Sequence, residues 1–329
     1  MNLAGKRVLV TGGAGFIGSA LIEELLRSGC TVLCLDNFAT GKRENLNDFL
    51  ISPDFQLIEG DIRNLNECSN ALKNVEIVLH QAALGSVPRS VADPATTNDV
   101  NINGFLNMLI ASRDAGVKRF VFASSSSVYG DQPDLPKVEQ KTGNPLSPYA
   151  VTKQVKELYA KVFAELYGME IIGLRYFNVF GRRQDPEGTY AAVIPRFIAA
   201  LIKGESPVIF GDGKQSRDFT YIDNVVQANL LAATVENKEA LNTVYNIACG
   251  AQITLTEMVN MMKEVLSTYK PEVAGIEPEF TKTRTGDILH SHASIEKARD
   301  LLGYEPQYDM LSGMKKTVEW YWNRLKDQG

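Results

Sequence analysis

The sequence predicts an α/β protein: a doubly wound parallel sheet followed by a smaller, less regular α/β C-terminal domain. Three observations carry this. Up to Tyr176 the chain alternates short apolar runs with amphipathic stretches of helical period, the signature of βαβ units. A glycine-bearing turn follows directly on the first apolar run. Beyond Tyr176 the alternation loosens into polar, glycine-containing segments and further helices.

In chain order, Arg7-Val-Leu-Val-Thr11 reads as a buried strand, and 16–28 as a helix stopped by Gly29. Strands follow at 31–36, 55–59, 77–80, 119–124 and 171–176, with helices at 65–72, 95–115 and 147–167. The segment 178–190 is polar and charged and is predicted to be a loop. Helices are predicted at 193–203, 223–235, 255–269, 294–302 and 310–325, with a short strand at 244–248. Residues 1–176 with about 221–249 form the first predicted domain, and about 177–220 with 250–329 the second. The second should cap the carboxyl ends of the strands, where such folds bind ligands.

Composition narrows the function. The chain has 329 residues, 44% hydrophobic, enough for a substantial core. The net charge is −5 with both signs interspersed, and no basic block suggests nucleic acid or a membrane surface. No run of 18 apolar residues suggests a membrane span, and a first strand near Lys6 leaves no room for a signal peptide. Cys30, Cys34, Cys68 and Cys249 have no metal or redox spacing and read as reduced thiols of a cytoplasmic protein. His80, His290 and His292 are too few and scattered for a metal site.

The turn Thr11-Gly-Gly-Ala-Gly-Phe-Ile-Gly18 makes the sheet Rossmann-type and predicts dinucleotide binding. Gly12 permits the tight turn, Gly15 a close approach to pyrophosphate, and Gly18 close helix–strand packing. The helix N-terminus behind it offers free N–H groups to phosphate. Asp36 ends the second strand, placed to accept the ribose hydroxyls and to favour NAD over NADP; it would repel a 2′-phosphate that Lys42 and Arg43 could otherwise attract. Asp61 is a weaker candidate, for the adenine, or a cap for the helix beginning near Asn64. Tyr149 and Lys153 are four apart and share one helix face, where an ammonium favours a phenolate, a general base. A Tyr-x-x-x-Lys alone occurs by chance; the serine run 124–127 and the glycine turn give it company.

With these motifs in place the chain resembles the extended short-chain dehydrogenase/reductase family over essentially its whole length. The resemblance rests on the 11–18 turn, Asp36-Asn37, the stretch 126–130, Ser147-Pro-Tyr-Ala-Val-Thr-Lys153, Arg175-Tyr-Phe-Asn178 and Arg217-Asp-Phe-Thr-Tyr221. Within it the segments 81–90 and 178–186 are most similar to bacterial UDP-N-acetylglucosamine 4-epimerases. The resemblance implies that Ser125 hydrogen-bonds the sugar 4-hydroxyl, with Ser126 and Ser127 candidates to share that role. It implies NAD contacts from Gly12, Gly15, Phe16, Ile17, Gly18, Asp36, Asn37, Asp61, Ile62, Gln81, Ala82, Ala83, Asn101, Tyr149, Lys153 and Tyr176. It places Gly85, Ser86, Asn178, Gln184, Ala192 and Ser291 around the sugar. Tyr190, Val193 and Ile209 lie in segments expected to wrap the uridine, and Asp287 is expected at its sugar. Arg217 and Arg284 would hold the diphosphate.

Related dehydratases carry an Asp-Glu pair at the positions of Ser126 and Ser127, and decarboxylases a glutamate at the second. Their absence here leaves the parts for reversible oxidation alone. The implied reaction is inversion at C4 through a transient 4-keto sugar, with Tyr149 as base and NAD retained. Small residues at Gly85 and Ser291, where galactose-restricted relatives carry Lys and Tyr, predict room for a 2-acetamido group. A uronic acid form would want a cation, for which Arg89 and Arg182 are candidates. Alternatives are a UDP-glucose/UDP-galactose or UDP-glucuronate 4-epimerase, or a non-catalytic sensor on the same fold. The helices 95–115 and 147–167 resemble the family's dimer-forming pair, so a homodimer is expected.

Overall fold

The computed structural model describes residues 3–188, 191–282 and 290–326. Its centre is a sheet of seven strands: β1 (Arg7–Thr11), β2 (Thr31–Asp36), β3 (Phe55–Glu59), β4 (Ile77–His80), β5 (Arg119–Ser125), β6 (Glu170–Tyr176) and, after four short strands, β11 (Thr243–Ile247). The order is β11-β6-β5-β4-β1-β2-β3, and every pair is parallel. Strand direction of build-up reverses between β1 and β4, so a crevice opens beyond their carboxyl ends. Thr11, Asp36, His80, Ser125 and Tyr176 end the strands that flank it.

Helices cover both faces. On the way to β5 come α1 (Phe16–Arg27), α2 (Leu65–Ala71), α3 (Val87–Ala92), α4 (Pro94–Asn98) and α5 (Gly104–Asp114); α6 (Pro148–Tyr167) precedes β6. Ser147 starts α6 by accepting the Ala150 N–H at 3.1 Å, Pro148 fits its first turn, and Gly168 ends it at φ +65°. The second half adds β7 (Val179–Phe180), α7 (Val193–Lys203), β8 (Val208–Phe210), β9 (Ser216–Arg217), β10 (Thr220–Tyr221) and α8 (Ile222–Thr234). After β11 follow β12 (Ile253–Thr254), α9 (Leu255–Ser267), β13 (Glu279–Thr281), α10 (Glu296–Leu302) and α11 (Met310–Leu325). The short strands pair two by two: β7 with β10, β8 with β13, β9 with β12.

Three expectations need correction. The single helix 95–115 is instead α4, a π-helical stretch Asp99–Asn103, and α5. Gly104 explains the close approach there: a Cβ would stand 2.6 Å from Ile62. Asn101 in the widened turn holds the Leu84 backbone, accepting its N–H at 2.8 Å and donating to its C=O at 3.1 Å. Second, α3 falls where no element was expected; Ser86 caps it by accepting the Arg89 N–H, with Pro88 in its first turn. Third, the loop 178–190 contains β7. Elsewhere the helix ends shift by one to two residues, the usual fraying of termini.

Candidate active site

Two cavities meet at the carboxyl end of the sheet. The first, about 470 Å³, is lined by Gly12, Gly15, Phe16, Ile17 and Gly18 from the first turn, and by Asp36, Asn37, Asp61 and Ile62 beyond β2 and β3. Gln81, Ala82, Ala83 and Gly85 line it after β4, then Ser125, Tyr149, Lys153, Tyr176 and Asn178. The second, about 520 Å³, is lined by Ser86, Ser125, Ser126, Ser127, Tyr149, Lys137, Phe177, His290 and Ser291 among others. Ser125 and Tyr149 are the residues common to both.

The glycine turn fits a pyrophosphate. A Cβ at Gly18 would lie 2.1 Å from the Gly12 carbonyl oxygen, so only glycine lets α1 start this close to β1. Gly15 is the N-cap and offers no side-chain cap, leaving the first N–H groups for a ligand. Asp36 accepts N–H bonds from Ala14 at 2.9 Å and Phe38 at 2.8 Å. Burial nevertheless pushes its carboxyl above the usual range, the cost of standing at a cavity wall with 8% exposure. Lys42 is drawn away to Asp185 at 2.9 Å and Arg43 to Glu59 at 2.6 Å, so neither cation waits beside Asp36. Asp61 does not cap the next helix; Asn64 does. Its carboxylate takes Asn37 at 2.9 Å and Arg63 at 2.6 Å, and that bonding lowers its pKa to about 2.

On the reacting side, Tyr149 and Lys153 lie on α6 with the Lys153 Nζ 5.5 Å from the tyrosine ring centre. Lys153 is 2% exposed and donates to the Ala123 carbonyl at 2.9 Å, which ties its ammonium to the end of β5. Ser125 caps a short 3₁₀ turn, its Oγ accepting the Ser127 N–H at 3.1 Å. Ser124 is committed elsewhere: it donates to Glu157 at 2.5 Å, and Glu157 pairs with the buried Arg175 at 2.7 Å. The Tyr176 hydroxyl donates toward Gln81 or Asn229, each at 3.2 Å, and burial pushes it well above the ordinary range. At Gly85 an added Cβ would meet nothing within 4 Å, so this wall is open.

Several expected residues are not brought to either cavity. Asn101 is fully buried and also donates to Thr152 at 3.1 Å. Gln184 donates to the Val179 carbonyl at 3.2 Å, its own carbonyl accepts the Tyr321 hydroxyl, and it lines a third cavity of about 230 Å³ beneath α11. Ile209 is fully buried on β8, Ala192 and Val193 form the start of α7, and Arg217 donates to the Ser216 carbonyl at 3.0 Å. Arg182 is bound to Asp223 at 2.5 Å and Glu23 at 3.1 Å in a separate cleft, and Arg89 lines neither cavity. Tyr190, Arg284 and Asp287 lie outside the described residues. Sequence reasoning missed the loop Ala39–Gly41 at the first cavity and Lys137 with His290 at the second. The position of 39–41 just after the ribose-side aspartate was a usable signal; Lys137 had none.

A Rossmann-type α/β protein with a glycine-cradled crevice is the class that fold and cavity define. The chain belongs to the NAD dependent epimerase/dehydratase family, whose model matches residues 8–248. It is 40% identical over 319 residues to a putative UDP-glucose 4-epimerase of Methanocaldococcus jannaschii, covering 96% of this chain and 98% of that one. Among solved structures, it is similar to a UDP-N-acetylglucosamine 4-epimerase from Methanobrevibacter ruminantium in complex with UDP-N-acetylmuramic acid. That structure has 40% identity and a TM-score of 0.91, over 98% of this chain and 99% of that one. It is also similar to a UDP-glucuronic acid 4-epimerase from Bacillus cereus in complex with UDP-glucuronic acid and NAD, at 31% identity and a TM-score of 0.87. There 97% of this chain and 99% of that one are covered. The family is NAD-dependent, and UDP-sugar 4-epimerisation is the activity shared by these relatives.

Proposed function

We propose that the protein interconverts UDP-N-acetylglucosamine and UDP-N-acetylgalactosamine at C4, holding NAD tightly through the cycle. The observation that carries this reading is the junction: the glycine-cradled cavity and the second, serine-lined cavity share Ser125 and Tyr149. A sugar in the second cavity would present its 4-hydroxyl to Ser125 and Tyr149 at the wall shared with the cavity whose residues would hold NAD. Bound NAD supplies the acceptor and donor of the C4 hydride. Tyr149 takes the 4-hydroxyl proton and returns it after the sugar has turned over its other face. Ser125 orients that hydroxyl, and Lys153 supplies positive charge beside the phenol. Ser126 and Ser127 are neutral, so no side chain there serves a dehydration or decarboxylation.

The acetamido preference is supported by Gly85 and Ser291, small residues on the walls of the first and second cavities, and by the UDP-N-acetylglucosamine 4-epimerase among the similar structures. We further propose the domain division at 1–176 with about 221–249 against the remainder, a cytoplasmic location, and a homodimer. Exposed Val151, Leu158, Val162 and Leu166 mark one stripe of α6, with Leu106 and Ile110 of α5 only partly buried. Incubation with UDP-N-acetylglucosamine and no added cofactor, followed by separation of the C4 epimers, tests reaction and retained NAD together. Protein that carries NAD yet exchanges no epimer of any UDP-hexose would return the chain to the sensor reading.

A further inference from the structure

The second cavity carries a charge pattern that a neutral acetamido sugar does not require. Its lining includes Lys137 and His290 and, among the described residues, no aspartate or glutamate. The Lys137 ammonium donates to the Gln132 carbonyl and to the Gln132 side-chain oxygen at 3.2 Å, both neutral acceptors. No carboxylate among the described residues pairs with it directly: Asp134, whose charge acts on it from a greater distance, is paired with Lys141 at 3.4 Å. Ser127 presents a buried Oγ without a hydrogen-bond partner at the same cavity. His290 is held there by Ser216, Nδ1 to Oγ at 2.8 Å. A buried hydroxyl without a partner and an ammonium bonded only to neutral acceptors among the described residues both gain when an anionic acceptor arrives.

We propose that Lys137 is a specificity residue for UDP-sugars bearing a carboxylate, with the Ser127 hydroxyl as a second donor to the same group. The proposal rests on the C4-epimerase reading of this site and extends it to acidic hexosamines. It moves the carboxylate partner from Arg89 and Arg182, which lie outside the cavity, to a residue on its wall. Position supports it. The main chain of Lys137 donates to His292 at 2.8 Å and bridges to Ala293, which fixes the lysine opposite the His290–Ser291 wall without using its side chain. The backbone is thus anchored independently of the side chain, whose ammonium is held by the two neutral oxygens of Gln132. No bond is made or broken at Lys137; its contribution is to binding alone.

The test compares three probes on the full-length protein as purified: UDP-N-acetylglucosamine, its C6 uronic acid, and the UDP-hexosamine with a 3-O-lactyl carboxylate. Epimer exchange and calorimetric affinity are both measured for wild type, Lys137→Gln and Lys137→Arg. Replacing the cation lowers the acid-to-neutral ratio of kcat/KM about ten- to hundred-fold, chiefly through KM, for whichever acid places its carboxylate at Lys137. Lys137→Arg restores most of the ratio, and added salt lowers it in wild type. Equal loss on neutral and acidic probes would make the lysine merely structural and overturn the proposal. So would a wild type that neither turns over nor binds either acid. If no probe is epimerised but calorimetry retains the Lys137-dependent preference for an acid, the epimerase reading fails and the anion site stands.

Discussion

Lys156 offers the sharpest test of how this site is built. It lies three residues beyond Lys153 on α6, fully buried, its Nζ without a hydrogen-bond partner and 5.0 Å from the Phe105 ring centre. Burial first, and the Lys153 charge second, hold its pKa well below the ordinary lysine range. A lysine held below its ordinary range binds its proton less tightly folded than unfolded, which costs stability; replacing a buried charged group by an apolar one of similar volume is worth about 1–4 kcal/mol. Lys156→Met keeps the volume, contacts Phe105 with a thioether and removes that cost. Unfolding entropy near 2.1 cal/mol/K per residue gives about 0.7 kcal/mol/K for this length, so each kcal/mol recovered raises the Tm by about 1.5 °C, and the rise should fall between about 1.5 and 6 °C. The sign follows from proton counts: above the lowered folded pKa and below the ordinary lysine range near 10.4 the unfolded state binds the extra proton, so wild-type stability gains from rising pH at this group. The variant loses that slope. Thermal unfolding followed from pH 6.5 to 9 measures both effects. A variant melting at or below the wild-type temperature, with the slope intact, would mean that Lys156 is charged and solvated in the folded protein.

Other outcomes follow from the same geometry. Tyr149→Phe should cut kcat by about 10²–10⁴-fold with UDP-sugar affinity retained, read by epimer exchange beside calorimetry. Gly18→Ala puts a methyl group against the Gly12 carbonyl, so the purified protein should carry little NAD, read by absorbance of the denatured supernatant. Ser291→Tyr should abolish turnover of the acetamido sugars and spare UDP-galactose; equal loss on both would remove Ser291 from the pocket. Leu158→Lys, in the exposed stripe of α6, should halve the mass in solution if the stripe is the dimer face, while a mass that stays put would relocate that interface.

The sheet and the cofactor cavity were legible because both are written locally. Strands β1, β2 and β4 have apolar centres buried on both faces and the bounds the pattern predicts; the edge strand β3 keeps its predicted bounds although Gln56 and Glu59 are exposed. Gly12, Gly15, Gly18 and Asp36 sit within one βαβ unit, so a single spacing places them all. The helix 95–115 misled because periodicity registers apolar positions but not a π turn. What diverts the backbone there is Asn101 reaching the Leu84 backbone, a contact invisible to spacing.

The sugar-side cavity was hardest to read for a different physical reason. It is assembled from residues 86–87, others between 125 and 137, and 149, 177 and 290–291, and no regular sheet fixes the last of these. Two isolated bridges do so: Lys137 with Ala293, and Ser216 with His290. Asp218 locks the same region from beneath, accepting N–H bonds from Cys249, Gly250 and Ala293, and burial pushes its carboxyl up to about 6. A spacing argument cannot foresee a wall set by single bridges between segments 74 and 156 residues apart (290 − 216 and 293 − 137). That is why sequence reasoning named Arg89 and Arg182, whereas in the folded chain it is Lys137 that lines the same cavity as Ser125 and Tyr149. If substrate choice rests on this wall, as proposed, it rests on a junction that the most regular elements of the fold do not encode.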